Sequence, residues 1–187
     1  MVGILRHNKQ KPILWTLDAT HVLLIQGDEP LLLPQHVEAM VNAIARDHAG
    51  AAWNATGPIL TDEDLERRSV VKAMVGGDSR ILACSRRNPS VHGVEGQGYV
   101  RKVLGLIAYS AETLRELVAL PPSVVERHEL IEQMRLIENG YLLRSVPVDE
   151  STPSVNEPED LLEVLAVLEQ SEEQQELLEA VMSPSSV

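Results

Sequence analysis

The chain is poor in residues that cross-link, stack on bases or track phosphates. It has one cysteine, Cys84, in 187 residues, so an internal disulfide is impossible. Its aromatic side chains are Trp15, Trp53, Tyr99, Tyr109 and Tyr141, too few for a base-stacking platform. No window approaches the roughly 18 uninterrupted apolar residues of a membrane span. The start, Met1-Val2-Gly3-Ile4-Leu5-Arg6-His7, lacks the long apolar stretch of a secretory signal. A cytoplasmic protein without membrane insertion is expected. Basic residues stop at Arg144: 16 Lys and Arg face 17 acids up to that point, and the remaining 11 acids follow alone. The net charge of −12 therefore belongs to the C-terminal stretch, and the body is nearly neutral. The pairs Arg67-Arg68, Arg86-Arg87 and Arg101-Lys102 are scattered, so nucleic acid is not expected as a partner.

At 44% hydrophobic, the chain can bury a substantial core. Val22-Leu23-Leu24-Ile25 is a short apolar run bounded by turn formers, the pattern of a strand covered on both faces in a parallel sheet. Gln26-Gly27-Asp28-Glu29-Pro30 then forms a loop. Pro34 opens a helix carrying Val37, Met40, Val41 and Ile44 at helical spacing. Val70 to Val75, the turn Gly76-Gly77-Asp78, and Ile81 to Cys84 predict a hairpin in which Lys72 is an edge-strand lysine or, alternatively, a ligand contact. Residues 88 to 98 read as an irregular loop without the order of a dinucleotide fingerprint. Val103 to Tyr109 predicts a strand, and Ala111 to Ala119 a helix ended by Leu120-Pro121-Pro122. Ser123 and Glu126 have capping-box spacing, which predicts a helix running to Glu138 before Asn139-Gly140, with a strand from Tyr141 to Val146 following. Leu161, Leu162, Val164, Leu165 and Leu168 give a helix with a wide apolar face. Ser171 with Gln174 caps either a separate acidic helix to Met182 or a continuation. The six histidines include no pair with metal-motif spacing and read as surface or loop residues.

Gln26-Gly27-Asp28-Glu29-Pro30 after a buried strand resembles the signature loop of the CMP-Kdo synthetase (3-deoxy-manno-octulosonate cytidylyltransferase) family. The similarity continues in order through Ala55-Thr56-Gly57-Pro58-Ile59, Val70-Val71-Lys72, Ser85-Arg86, Gly105 to Tyr109, Leu120 to Ser123, Ile131 to Gly140 and Pro158-Glu159-Asp160-Leu161. The resemblance implies an α/β, Rossmann-like nucleotidyltransferase mixed sheet with flanking helices. It also implies transfer of CMP from CTP to a 3-deoxy-2-ulosonic acid with magnesium, serving lipopolysaccharide or capsule synthesis, in a protein that commonly dimerises. Carried onto this chain, it makes Asp28 the catalytic, metal-holding carboxylate. It makes Gln26, Glu132 and Gln133 contacts to the sugar acid, and Arg86 a bidentate partner for a carboxylate or phosphate.

Three features depart from the family pattern. The family's first strand and its basic, glycine-containing loop around the CTP triphosphate have no counterpart before Val22. Asn156 stands where the family carries a second metal-binding aspartate, and an amide adds no negative charge, so magnesium affinity should fall. Val103 replaces a histidine. The expected organisation is a non-matching segment 1–20, a cytidylyltransferase-like domain 21–169 and an acidic extension 170–187. The fold is thus expected to be incomplete, with an open sheet edge covered by a homodimer mate, a complementary subunit or the C-terminal helices folding back. A cytidylyltransferase inactive or partner-dependent on its own is expected, with a non-catalytic regulatory subunit or a truncated gene product as the alternatives.

Overall fold

The computed structural model describes residues 18–47, 50–89 and 98–183. In chain order the elements are β1 (His21–Ile25), α1 (Pro34–Arg46), β2 (Ala52–Gly57), α2 (Asp62–Glu66), β3 (Lys72–Val75), β4 (Ile81–Ser85), β5 (Val100–Ser110), α3 (Ala111–Ala119), α4 (Val124–Glu129), α5 (Gln133–Glu138), β6 (Leu143–Pro147), α6 (Asp160–Gln170) and α7 (Glu172–Met182). The strands form one mixed sheet ordered β4-β3-β5-β2-β6, with β1 also paired to β5. The long strand β5 organises it. One edge of β5 carries β2, while the other carries β3 at residues 100–102 and β1 at residues 106–110. Only the β2–β6 pair is parallel.

Alternation along β1 and β5 feeds two apolar layers, because successive side chains point to opposite faces. Val22, Ile107 and Tyr109 join Leu114, Leu117, Met134 and Leu136 from α3 and α5. Leu23, Leu104, Leu106 and Ala108 join Trp53 and Met40, under α1, on the other face. Each fully buried side chain of this size contributes about 1.5–3 kcal/mol.

Four expectations are corrected. The Val22 strand is antiparallel to its neighbour, not parallel: an apolar run reports that both faces are covered, not which way the neighbour runs. The helix foreseen from Ser123 to Glu138 is two helices. The Ser123–Glu126 capping box forms, but Leu130 adopts φ 57, which turns Ile131 into the core and starts α5 afresh at Gln133. Lys72 is not on an edge, since β4 lies outside β3, and its side chain is fully buried. His36 likewise departs from a surface role. It is buried, and its Nδ1 accepts from Leu33 N at 3.2 Å. The irregular stretch foreseen at 88–98 lies largely outside the described residues, as do His7, His48 and His92. No described helix is long and apolar enough to cross a membrane.

Candidate ligand pocket

The pocket is built around a break in the sheet. Between Asn54–Ile107 and Thr56–Val103 the register of β2 against β5 shifts, so β5 bulges at Leu104-Gly105-Leu106. Gly105 is clasped from the β1 side: its N–H donates to Glu29 Oε1 at 2.7 Å, and its carbonyl accepts from Gln26 N at 2.8 Å. A Cβ here would lie 2.7 Å from Glu29 Cγ and 2.8 Å from Gln26 Oε1, so this close approach requires glycine. Burial raises the Glu29 carboxyl above its ordinary range, against the lowering effect of the hydrogen bonds from Gly105 and Ser154 and the charge of Lys102. Glu29 thus bolts the loop after β1 to the sheet, and Val155 N holds the same loop through the Asp28 carbonyl at 2.9 Å.

Gln26, Asp28, Arg86, Glu132, Gln133 and Asn156, drawn from four separate stretches of sequence, all line one cavity of about 340 Å³. Asp28 Oδ1 is buried and has no hydrogen-bond partner among the described residues. An orphaned buried carboxylate oxygen is costly and marks a place for a cation or donor. Asn156 turns its amide nitrogen toward Ser154 O at 3.5 Å, leaving its oxygen clear of that contact. Among the described residues no group of three or more His, Cys, Asp or Glu could hold a metal.

Glu132 and Gln133 sit at the start of α5, the first exposed and the second half-buried. Gln133 Nε2 donates to Asn54 Oδ1 at 2.9 Å. Their wall is held by Arg135, whose Nε donates to Glu126 at 2.8 Å and whose second nitrogen closes a bidentate pair. That bond holds the Glu126 carboxyl below its usual range. Glu138 accepts from the Ser123 hydroxyl and from Val124 N and Val125 N, capping α4 from outside it.

Among the described residues the Arg86 guanidinium pairs with no carboxylate. It donates to Glu129 O at 2.8 Å, Arg68 O at 3.1 Å and Leu130 O at 3.3 Å, bracing the loops behind the cavity. Lys72 supports the same brace by donating to Arg67 O and Arg86 O, and burial lowers its ammonium to about 8. The basic group that lines the cavity with fewer commitments is Lys102, whose Nζ donates to Thr152 O at 2.9 Å. Sequence reasoning passed over Glu29, Lys102 and Asn54. Glu29 was within reach as part of the signature loop. Asn54 was within reach as a lone amide inside the apolar Ala52-Trp53-Asn54-Ala55, where a polar residue needs partners.

A mixed sheet with helices on both faces and a polar cavity at a sheet irregularity has the form of a nucleotidyltransferase domain. Solved structures agree. A CMP:2-keto-3-deoxy-manno-octonic acid synthetase complexed with CTP superposes with TM-score 0.74 at 28% identity, covering 84% of this chain and 65% of that one. The 4-diphosphocytidyl-2C-methyl-D-erythritol synthase of Anaerococcus prevotii, at 14% identity and TM-score 0.53, shares the fold over 84% of this chain and 63% of its own. Within that class the chain is a homologue of the 3-deoxy-manno-octulosonate cytidylyltransferases (CMP-Kdo synthetases). It is 33% identical to that of Chlorobium limicola over 159 residues, 83% of this chain and 64% of the relative. It is 36% identical to that of Acidobacterium capsulatum over 154 residues, 82% of this chain and 62% of the relative. The chain thus spans a little under two thirds of the length of these relatives. No family profile matches it.

Proposed function

We propose that the cavity binds a Kdo-like 3-deoxy-2-ulosonic acid and forms the sugar-side half of a CMP-transfer site. The observation that carries this is the convergence of the Gln26–Glu29 loop and the Glu132–Gln133 turn on one cavity around Gly105. A polyhydroxy acid needs hydrogen-bond acceptors for its hydroxyls and a cation for its carboxylate. Gln26, Glu132 and Gln133 supply the acceptors, and Lys102 supplies the cation. In the proposed reaction a sugar hydroxyl oxygen attacks the α-phosphorus of CTP. A new O–P bond forms as the hydroxyl proton passes to solvent water, the bond to the β-phosphate bridging oxygen breaks, and pyrophosphate leaves with that electron pair. Asp28, with the Asn156 oxygen, would hold magnesium, which when bound supplies charge neutralisation for the phosphate oxygens. One carboxylate in place of two lowers the affinity for the ion.

Among the described residues the basic groups lining the cavity are Arg86, whose guanidinium is committed to three main-chain carbonyls, and Lys102 on β5. In this reading CTP turnover depends on a triphosphate grip from outside the described residues, such as a second copy or a complementary subunit. Calorimetric titration with 3-deoxy-manno-octulosonic acid, paired with pyrophosphate-release assays in CTP and magnesium, tests both parts. The expected result is sugar-acid binding without release by the chain alone. Failure of every ulosonic acid to bind overturns the pocket assignment, and brisk release by the purified chain overturns the dependence on an added grip.

A further inference from the structure

Asn54 is fully buried in β2, directly beneath the cavity wall. Its Nδ2 faces the carbonyls of Leu104 at 2.8 Å, Ala55 at 2.9 Å and Leu106 at 3.3 Å. Carbonyl oxygens only accept, so the nitrogen of Asn54 must face them and its Oδ1 must face the other way. That oxygen lies 2.9 Å from the Gln133 side chain. Two oxygens cannot share a hydrogen bond here, so Gln133 must present its NH₂ group to Asn54. The amide polarity of Gln133 is therefore dictated by three main-chain carbonyls at the bulge of β5. Gln133 Oε1 makes no hydrogen bond among the described residues, and Gln133 lines the cavity.

We propose that Asn54 is a positioning residue that locks the Gln133 amide, so that the cavity is offered a carbonyl acceptor selective for a ligand hydroxyl. The identity of that ligand as a sugar acid rests on the function proposed above; the lock itself does not. Without Asn54 the Gln133 amide can turn over, presenting a donor as readily as an acceptor, and a ligand hydroxyl loses its fixed partner.

The test has a ligand-free arm and a ligand arm. In a ¹H–¹⁵N spectrum of the full chain, the Gln133 NH₂ pair of the wild type should show protons of unequal shift and slow solvent exchange. In Asn54→Ala it should move to the values of a solvated glutamine. Should Asn54→Ala fail to fold, Gln133→Met reads the lock from the other side: the Asn54 NH₂ pair stays protected by its three carbonyls, while its shift changes with loss of the Gln133 donor. A Gln133 NH₂ pair already at solvated values in the wild type, or an Asn54 pair indifferent to Gln133→Met, overturns the lock. In the ligand arm, titration with 3-deoxy-manno-octulosonic acid should weaken about tenfold in Asn54→Ala and about tenfold in Gln133→Ala, with little further loss in the double variant. Additive losses overturn the positioning role. Absence of wild-type binding sinks the sugar-acid assignment while the ligand-free arm still decides the lock.

Discussion

The sheet around β5 and the C-terminal helices treat polarity in opposite ways. In the sheet and the helices packed on it, polar groups go inside: Asn54, Thr56, Lys72, Glu126 of α4 and Ser145 are buried and partnered, with Thr56 Oγ1 and Ser145 Oγ 2.7 Å apart and Arg101 donating to Thr56 O and Val148 O, each at 2.9 Å. At α6 and α7, Val164 is buried but many large apolar groups stay outside: Leu162, Val181 and Met182 are about three-quarters exposed. What holds α7 is a buried amide, Gln174 Nε2, donating to Leu31 O at 2.8 Å. Burial here follows what the neighbouring strands leave unsatisfied rather than hydrophobicity. A bulged strand leaves carbonyls needing donors, and an acidic hairpin outside the sheet has none of those demands.

The largest effect should come from the sheet side. Arg135→Ala leaves Glu126 buried without its partner and is expected to cost about 3–5 kcal/mol in chemical denaturation. It should also move the acid limb of unfolding. Glu126 has its folded pKa depressed, so its contribution is present above the unfolded value and lost as pH falls through the folded one. Removing Arg135 should shift that loss to higher pH. Gly105→Ala comes next: the added Cβ collides with Glu29 and Gln26. A stability cost of about 1–3 kcal/mol is expected from this overpacking, together with loss of sugar-acid binding by titration. A variant that folds and binds as the wild type does would show that the clasp at Gly105 is dispensable.

The helical side should give smaller numbers. Gln174→Ala strands the Leu31 carbonyl and should cost about 1–3 kcal/mol. Leu162→Lys on the exposed face should stay within about 0.5 kcal/mol of wild type. If Leu162→Lys proved the more damaging, the contrast between the two regions would be wrong. Glu29→Gln sharpens it by pH. The Glu29 carboxyl has its folded pKa raised from 4.5, so its favourable contribution is present below the unfolded value and lost as pH rises through the folded one. The melting temperature of Glu29→Gln relative to wild type should therefore rise between pH 4 and pH 7.

Much of this was legible in the chain. The element kinds were readable because caps and periodicity are local: Ser171 accepts from Gln174 N as its spacing implied, and Pro34 opens α1. Six pocket residues were readable through their likeness to a family. The roles of Arg86 and Lys72 were not, since both depend on which distant carbonyls lie within reach. The partner of Asn54 was hidden for the same reason, lying 79 positions away.

The order of residues by itself determined the kind and approximate place of most strands and helices, that the negative charge sits at the C-terminal end, and which family the chain is related to. Those properties are encoded within a few residues of one another or in collinear motifs. Only the tertiary structure decided that β1 runs antiparallel to β5, that the chain turns at Leu130, and that a buried asparagine holds a cavity glutamine. Each depends on backbone groups that come together only after strands far apart in sequence have paired, when every buried donor must find its acceptor.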